Sequence, residues 1–116
     1  MSHIVINGDI GVQDVFEKIG PLFIKLEDGM IKSGESFISQ NKTSMIIKTL
    51  SIEKENKVSF LVLINAREDG IIIRLFPDFD IPKTFGVKKS LAEIAKQILK
   101  VNNGLVIGKK NLTKFL

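Results

Sequence analysis

Residues 57–76 read Lys57-Val-Ser-Phe-Leu-Val-Leu-Ile-Asn65, Ala66-Arg-Glu-Asp-Gly70 and Ile71-Ile-Ile-Arg-Leu-Phe76. The pattern predicts two strands joined by a short connection. In the first, Val58, Phe60, Val62 and Ile64 alternate onto one face, while Leu61 and Leu63 fall on the other. A strand apolar on both faces is expected at the centre of a sheet, covered above and below. In the second, Ile71, Ile73 and Leu75 continue the first stripe, with Ile72 and Phe76 behind it. Asp69-Gly70 offers the left-handed backbone that a hairpin reversal needs.

Outward from this hairpin, composition sets the bounds. A chain of 116 residues is expected to form one domain, residues 1–116, around a single core. Its 44% hydrophobic and 26% charged content is ordinary for a globular protein. The absence of cysteine removes disulfides and thiolate metal sites and fits a reducing compartment. Met1-Ser-His-Ile-Val-Ile lacks the basic segment and long apolar run of a signal peptide. No apolar run approaches the roughly 18 residues needed to cross a bilayer. The expected setting is cytoplasmic and away from membranes.

The net charge of +4 is unevenly spread. Residues 83–116 carry eight lysines against Glu93 alone, a net +7, while residues 1–82 carry nine cations against twelve carboxylates, a net −3. Such asymmetry can mark a surface that meets a polyanion or an acidic partner. Lysine-rich helix faces and tails also serve solubility, which needs no partner.

Ile4, Val5 and Ile6 predict a first strand, ended by Asn7-Gly8. Asp9 is a candidate cap for a helix with Val12, Val15, Phe16 and Ile19 on one face, stopped by Gly20-Pro21. Leu22–Glu27 and Met30–Ser33 flank Asp28-Gly29, the strongest hairpin signal in the chain. A turn on those two residues sets Leu26 opposite Ile31 and Lys25 opposite Lys32, an unfavourable pair of like charges. Gly34-Glu-Ser36 predicts a bulge before Phe37-Ile38. Met45–Ile52 forms a further strand with Ile46, Leu50 and Ile52 on one face. Lys48 interrupts that stripe, a sign of an edge position or a snorkelling stem.

Beyond Phe76, Pro77-Asp-Phe-Asp-Ile-Pro82 is too proline-rich for a ladder and reads as an ordered loop. Ser90 and Glu93 have the spacing of a capping box, and Leu91, Ile94, Ala95 and Ile98 form the apolar stripe of a second helix. Asn102-Asn103-Gly104 reads as its left-handed cap, Leu105–Ile107 as a last strand, and Gly108–Leu116 as a basic tail. The expected fold class is α+β, a single antiparallel sheet of five to six strands with two amphipathic helices packed on it. The element order reads β-α-β-β-β-β-β-α-β.

Candidates for chemistry are sparse. His3 is the only histidine, and its place near the terminus suggests a surface side chain with no cysteine to activate. Asp78 and Asp80 flank Phe79, and a carboxylate pair can hold magnesium or move protons. Beside Pro77 and Pro82, however, aspartates are ordinary turn residues. No Walker or Rossmann glycine loop is present. Val106-Ile-Gly-Lys-Lys-Asn-Leu-Thr-Lys-Phe115 resembles, over about ten residues, the opening of a KH signature, whose Gly-x-x-Gly loop clamps a nucleic-acid backbone. Asn111 stands where that signature has its second glycine.

Tyrosine and tryptophan are absent, and Phe16, Phe23, Phe60 and Phe76 fall on stripes expected to be internal. Phe79, Phe85 and Phe115 remain as candidates to stack a base. Arg67 and Arg74 are the only arginines, which disfavours bidentate base recognition. These features point to a non-enzymatic protein–protein binding module, without metal or cofactor. In size class it matches immunity proteins, antitoxins and inhibitors that cover a partner's surface. The expected contact residues are Lys89, Lys96 and Lys100 on the second helix, with Lys109, Lys110 and Lys114 in the tail. Their sign implies an acidic partner protein. The alternative is nucleic-acid binding through the same lysines, and a homodimer through an edge strand such as Met45–Ile52 is a further possibility.

Overall fold

The hairpin at 57–76 forms β5 (Asn56–Arg67) and β6 (Gly70–Leu75) in a seven-stranded antiparallel sheet. A computed structural model describes residues 2–54, 56–77 and 80–110, the side chains of Lys109 and Lys110 excepted. The remaining elements are β1 (His3–Asn7), α1 (Val12–Lys18), β2 (Phe23–Leu26), β3 (Gly29–Ile38), β4 (Ser44–Glu53), α2 (Phe85–Leu99) and β7 (Val106–Lys110). This is the expected element order. The sheet nevertheless holds seven strands rather than five or six, in the order β2-β3-β4-β5-β6-β1-β7, and it curls into a half-barrel. The short strands β2 and β7 form its two edges. β2 joins through its local hairpin with β3, whereas β7 crosses from the far end of the chain to pair with β1.

The β5–β6 turn closes tighter than expected, and the β2–β3 turn keeps its two residues but shifts by one. Arg67 pairs with Gly70, so Glu68 and Asp69 alone reverse the chain between β5 and β6. Gly70 is the first strand residue, with φ +151°, and a Cβ there would strike the carbonyl oxygen of Ile6 in β1. Similarly, Leu26 pairs with Gly29, and the turn is Glu27-Asp28. Gly29 is needed for space, because its α-carbon lies against the Ile52 carbonyl of β4. The one-residue shift pairs Lys25 with Met30 and Phe23 with Lys32, so the like-charge contact expected from the sequence does not form. The bulge at Gly34-Glu35 is present, between Ser33↔Thr49 and Ser36↔Ile47.

Register places the core on one side of the sheet. Ile4, Ile6, Val62, Ile64, Ile71 and Ile73 are fully buried and cluster with Val12 and Val15 of α1 and with Leu91, Ile94 and Ile98 of α2. Both helices therefore cover the same face. β5 is central, as expected, but Leu61 and Leu63 lie on its other side, outside that cluster. β4 is internal too, flanked by β3 and β5, which removes it as a dimerising edge. Its inward residues are Met45, Ile47, Thr49 and Ser51, all buried, while the more apolar stripe Ile46, Leu50 and Ile52 faces away from the helices.

Helix starts differ from expectation for a hydrogen-bonding reason. Gly11, not Asp9, caps α1, and the Asp14 carboxylate accepts from the Gly11 N–H at 3.0 Å. α2 begins six residues before Ser90 (at Thr84 as cap), where the Thr84 hydroxyl accepts from Val87 N–H at 3.3 Å. Glu53 of β4 accepts from Gly86 N–H, placing a carboxylate at the positive end of the helix. Together these satisfy donors that a helix start leaves open. Ser90 is buried inside the helix and donates to the Gly86 carbonyl at 2.7 Å.

Accordingly, Thr84→Ala is expected to cost about 1 kcal/mol in urea unfolding. Ser90→Ala should stay within about 0.5 kcal/mol, because its hydroxyl bonds a carbonyl already served by the helix. The reverse ranking would restore the Ser90 start.

Candidate functional site

The lysines of α2 are drawn into local ion pairs. Lys89 Nζ lies 3.1 Å and Lys96 Nζ 3.5 Å from Glu93 Oε1, one turn to either side. Glu93, expected to cap the helix, instead offsets part of the charge assigned to this surface. Lys100 is the exposed C-cap residue, at the end of the helix where a cation is favourable. Lys109 and Lys110 belong to β7, with side chains outside the described residues, as is Lys114. Gly108, Lys109 and Lys110 are strand residues beside β1, so they do not form the start of a clamping loop of KH type.

The other expected sites are dispersed. His3 is half-buried in β1 and pairs in register with Arg74 of β6. Asp80 is exposed, while Asp78 and Phe79 lie outside the described residues. Among the described residues, no three His, Cys, Asp or Glu side chains gather closely enough to hold a metal ion. No described helix is long and apolar enough to cross a membrane.

What the fold does assemble is the sheet face opposite the helices. Cross-strand pairing sets its side chains in rows, because directly opposed residues share a face. One row runs Phe23, Lys32, Leu50, Ser59 across β2–β5, and a neighbouring row runs Lys25, Met30, Ile52, Lys57. Lys48 and Leu61 form the next pair beyond the bulge. A fourth row runs Phe37, Ile46, Leu63, Arg74, His3 from β3 to β1. Phe23, expected to be internal, is 61% exposed, and Phe37 is 48% exposed. Among the described residues no helix covers this face. Leu63 is buried there, with Ile46 and Arg74 beside it in register.

A groove of about 480 Å³ lies on this face, lined by Leu50 and Leu61 and bordered by Ile81 and by Phe60, whose side chain belongs to the core on the other side. Lys32, Lys48 and Glu35 stand around it. Lys48 and Glu35 approach to 3.9 Å, yet their side chains are 58% and 74% exposed, so water screens the contact. This is a loose surface pair, not a buried set of groups held for proton transfer. Arg74 is anchored instead, its Nη2 donating to Asn65 Oδ1 at 3.2 Å while Asn65 donates onward to the Ser44 hydroxyl.

The signal for this face was present in the sequence as Lys48 inside the Ile46, Leu50, Ile52 stripe. A lysine in mid-stripe marks the wet side of a strand. That stripe is the more apolar of the two in β4, which is why it reads as the core. No protein-family model, no curated protein and no solved structure matches the chain.

Proposed function

We propose that this chain is a non-enzymatic protein-binding module that covers part of a partner's surface, and that the helix-free face of its sheet makes the contact. The reading rests on one observation: Leu50 of β4 and Leu61 of β5, with Ile81 of the loop before α2, form the apolar part of a groove that no described helix covers. Exposed apolar surface of this kind is characteristic of interaction sites. An aliphatic centre with lysines around it also has the layout of an interface, a dry core inside a polar rim. The α2 lysines are weaker candidates, since Lys89 and Lys96 share Glu93.

Phe23 beside Lys32 favours a second reading, single-stranded nucleic acid stacked on the sheet. The aliphatic centre weighs against it, because Leu50 and Leu61 offer no ring to stack a base. The test is capture from the native host at mild salt, comparing the wild-type chain with Leu61→Asp and with Lys96→Ala/Lys100→Ala. The expected result is a protein partner whose recovery falls at least tenfold with Leu61→Asp and little with the helix variant. Equal recovery by Leu61→Asp, or recovery of nucleic acid alone, would overturn the proposal.

A further inference from the structure

From the same face, and resting on the proposal just made, we infer the chemistry of the occupant: an acidic amphipathic α-helix supplied by the partner protein. Sign is the first ground. The outward strand positions carry Lys25, Lys32, Lys48, Lys57, Arg67 and Arg74 against Glu35, six cations to one carboxylate and a net +5. Among the described residues, Lys25, Lys32, Lys57 and Arg74 have no carboxylate within ion-pair distance. These cations come from residues 1–82, whose formal charge is −3, so the fold has sorted them. Most described acidic residues of 1–82 lie elsewhere: Asp9 before α1, Asp14 and Glu17 in it, Glu27 and Asp28 in one turn, Glu68 and Asp69 in the other, and the Glu53 carboxylate at the start of α2. Asp80 precedes Ile81 at the groove, and Glu55 and Asp78 lie outside the described residues.

Backbone bonding supplies the second ground. β4 has a hydrogen-bonded neighbour on both sides, whereas at the groove β3 beyond Ser33 and β5 before Val62 pair in register with β4 alone. In every strand the N–H and C=O groups lie in the plane of the sheet, aimed at a neighbouring strand or an edge and not at the face. An occupant resting on the face must therefore satisfy its own backbone, which a helix does internally and an extended strand does not. A helix over a sheet is also the usual way such a face is closed, here adding a layer opposite α1 and α2. Its apolar stripe would meet Leu50, Leu61 and Ile81, with carboxylates on its flanks within reach of the Lys32 and Lys48 ammonium groups.

A second copy of this chain is a poor occupant, because two such faces opposed would bring like charges together in a partly desolvated layer. Nucleic acid and anionic membrane also present negative charge, but neither supplies an aliphatic ridge shaped for the groove.

The test uses the intact protein, isotope-labelled for NMR. The probes are an 18-residue amphipathic peptide with leucines on one face and glutamates on its flanks, and analogues with glutamine or lysine at the glutamate positions. Oligo-dT and phosphatidylserine vesicles provide the other polyanions. The expected result is that the acidic peptide binds at least tenfold tighter than the glutamine analogue, while the lysine analogue does not bind. Shifts should centre on Lys32, Lys48, Leu50 and Leu61, and Lys32→Glu/Lys48→Glu should weaken binding at least tenfold while its folded spectrum persists. The double variant should then accept the lysine analogue, which guards against a loss caused by misfolding.

Equal binding of the three peptides, shifts on another surface, or tighter binding of oligo-dT or vesicles would overturn the inference. If the capture remains sensitive to Leu61→Asp while the acidic peptide fails, the binding-module proposal stands and only the acidic helix falls. If both fail, the face is not a contact surface.

Discussion

Gly70→Ala is expected to lower the stability of this protein by about 3 kcal/mol or more, the range of backbone strain combined with overpacking. Two causes act together. The residue sits at φ +151°, a conformation L-residues rarely adopt, and a Cβ would meet the Ile6 carbonyl oxygen. Neither can relax locally, because Gly70 pairs with Arg67 on one side and Asn7 on the other, holding β5, β6 and β1 together. Urea unfolding should show a lower midpoint at unchanged slope. Gly104→Ala is the control. That residue also has a positive φ, +85°, but open space around it, so its loss should be limited to about 1 kcal/mol. Equal losses at the two positions would mean that the contact with β1 carries no weight.

The second large effect separates the two sides of one strand. Ile64→Ala is expected to cost about 3–4 kcal/mol, the range for truncating a buried aliphatic side chain that leaves a cavity. Ile64 is fully buried and stands between Met45 and Ile73 on the helix-covered face. Leu61→Ala, three residues earlier on the open face, should cost less, about 1–2 kcal/mol, because that side chain is only half-buried and leaves no enclosed cavity. The pair is read from urea midpoints on otherwise identical proteins. A Leu61 loss as large as that of Ile64 would mean that the second face is covered in the free protein, and the docking surface would vanish with it.

These variants probe features that differ in how openly the sequence displays them. Strand β5 is legible because Val58, Phe60, Val62 and Ile64 repeat at the period of a strand, and that repeat coincides with the core side. The bulge is legible in Gly34-Glu-Ser36, where polar residues interrupt a strand pattern. The start of α2 is less so. Ser90 and Glu93 have capping spacing, but Thr84 and the Glu53 carboxylate satisfy the helix start a turn and a half earlier. Glu53 is distant in sequence, so only folding can bring it there. The turn at Glu27-Asp28 was hidden for a similar reason: Gly29 is required by the approach of the β4 backbone, not by the reversal itself.

By itself, then, the chain order of helices and strands, the α+β class and the inward stripe of the central hairpin were determined by the residues 57–76 and the periodicities around them. Those are local properties, set by how side chains alternate along a strand or recur around a helix. Which side of the sheet the helices cover, and which lysines collect on the side they leave open, was decided by tertiary structure alone. Lys25, Lys32, Lys48, Lys57 and Arg74 belong to five different strands and become neighbours on one face only through cross-strand register. Counted along the chain they disappear into a segment of net negative charge. Counted across the sheet they share one face, with Lys32 and Lys48 at the groove itself, because pairing brings together residues that sequence distance keeps apart.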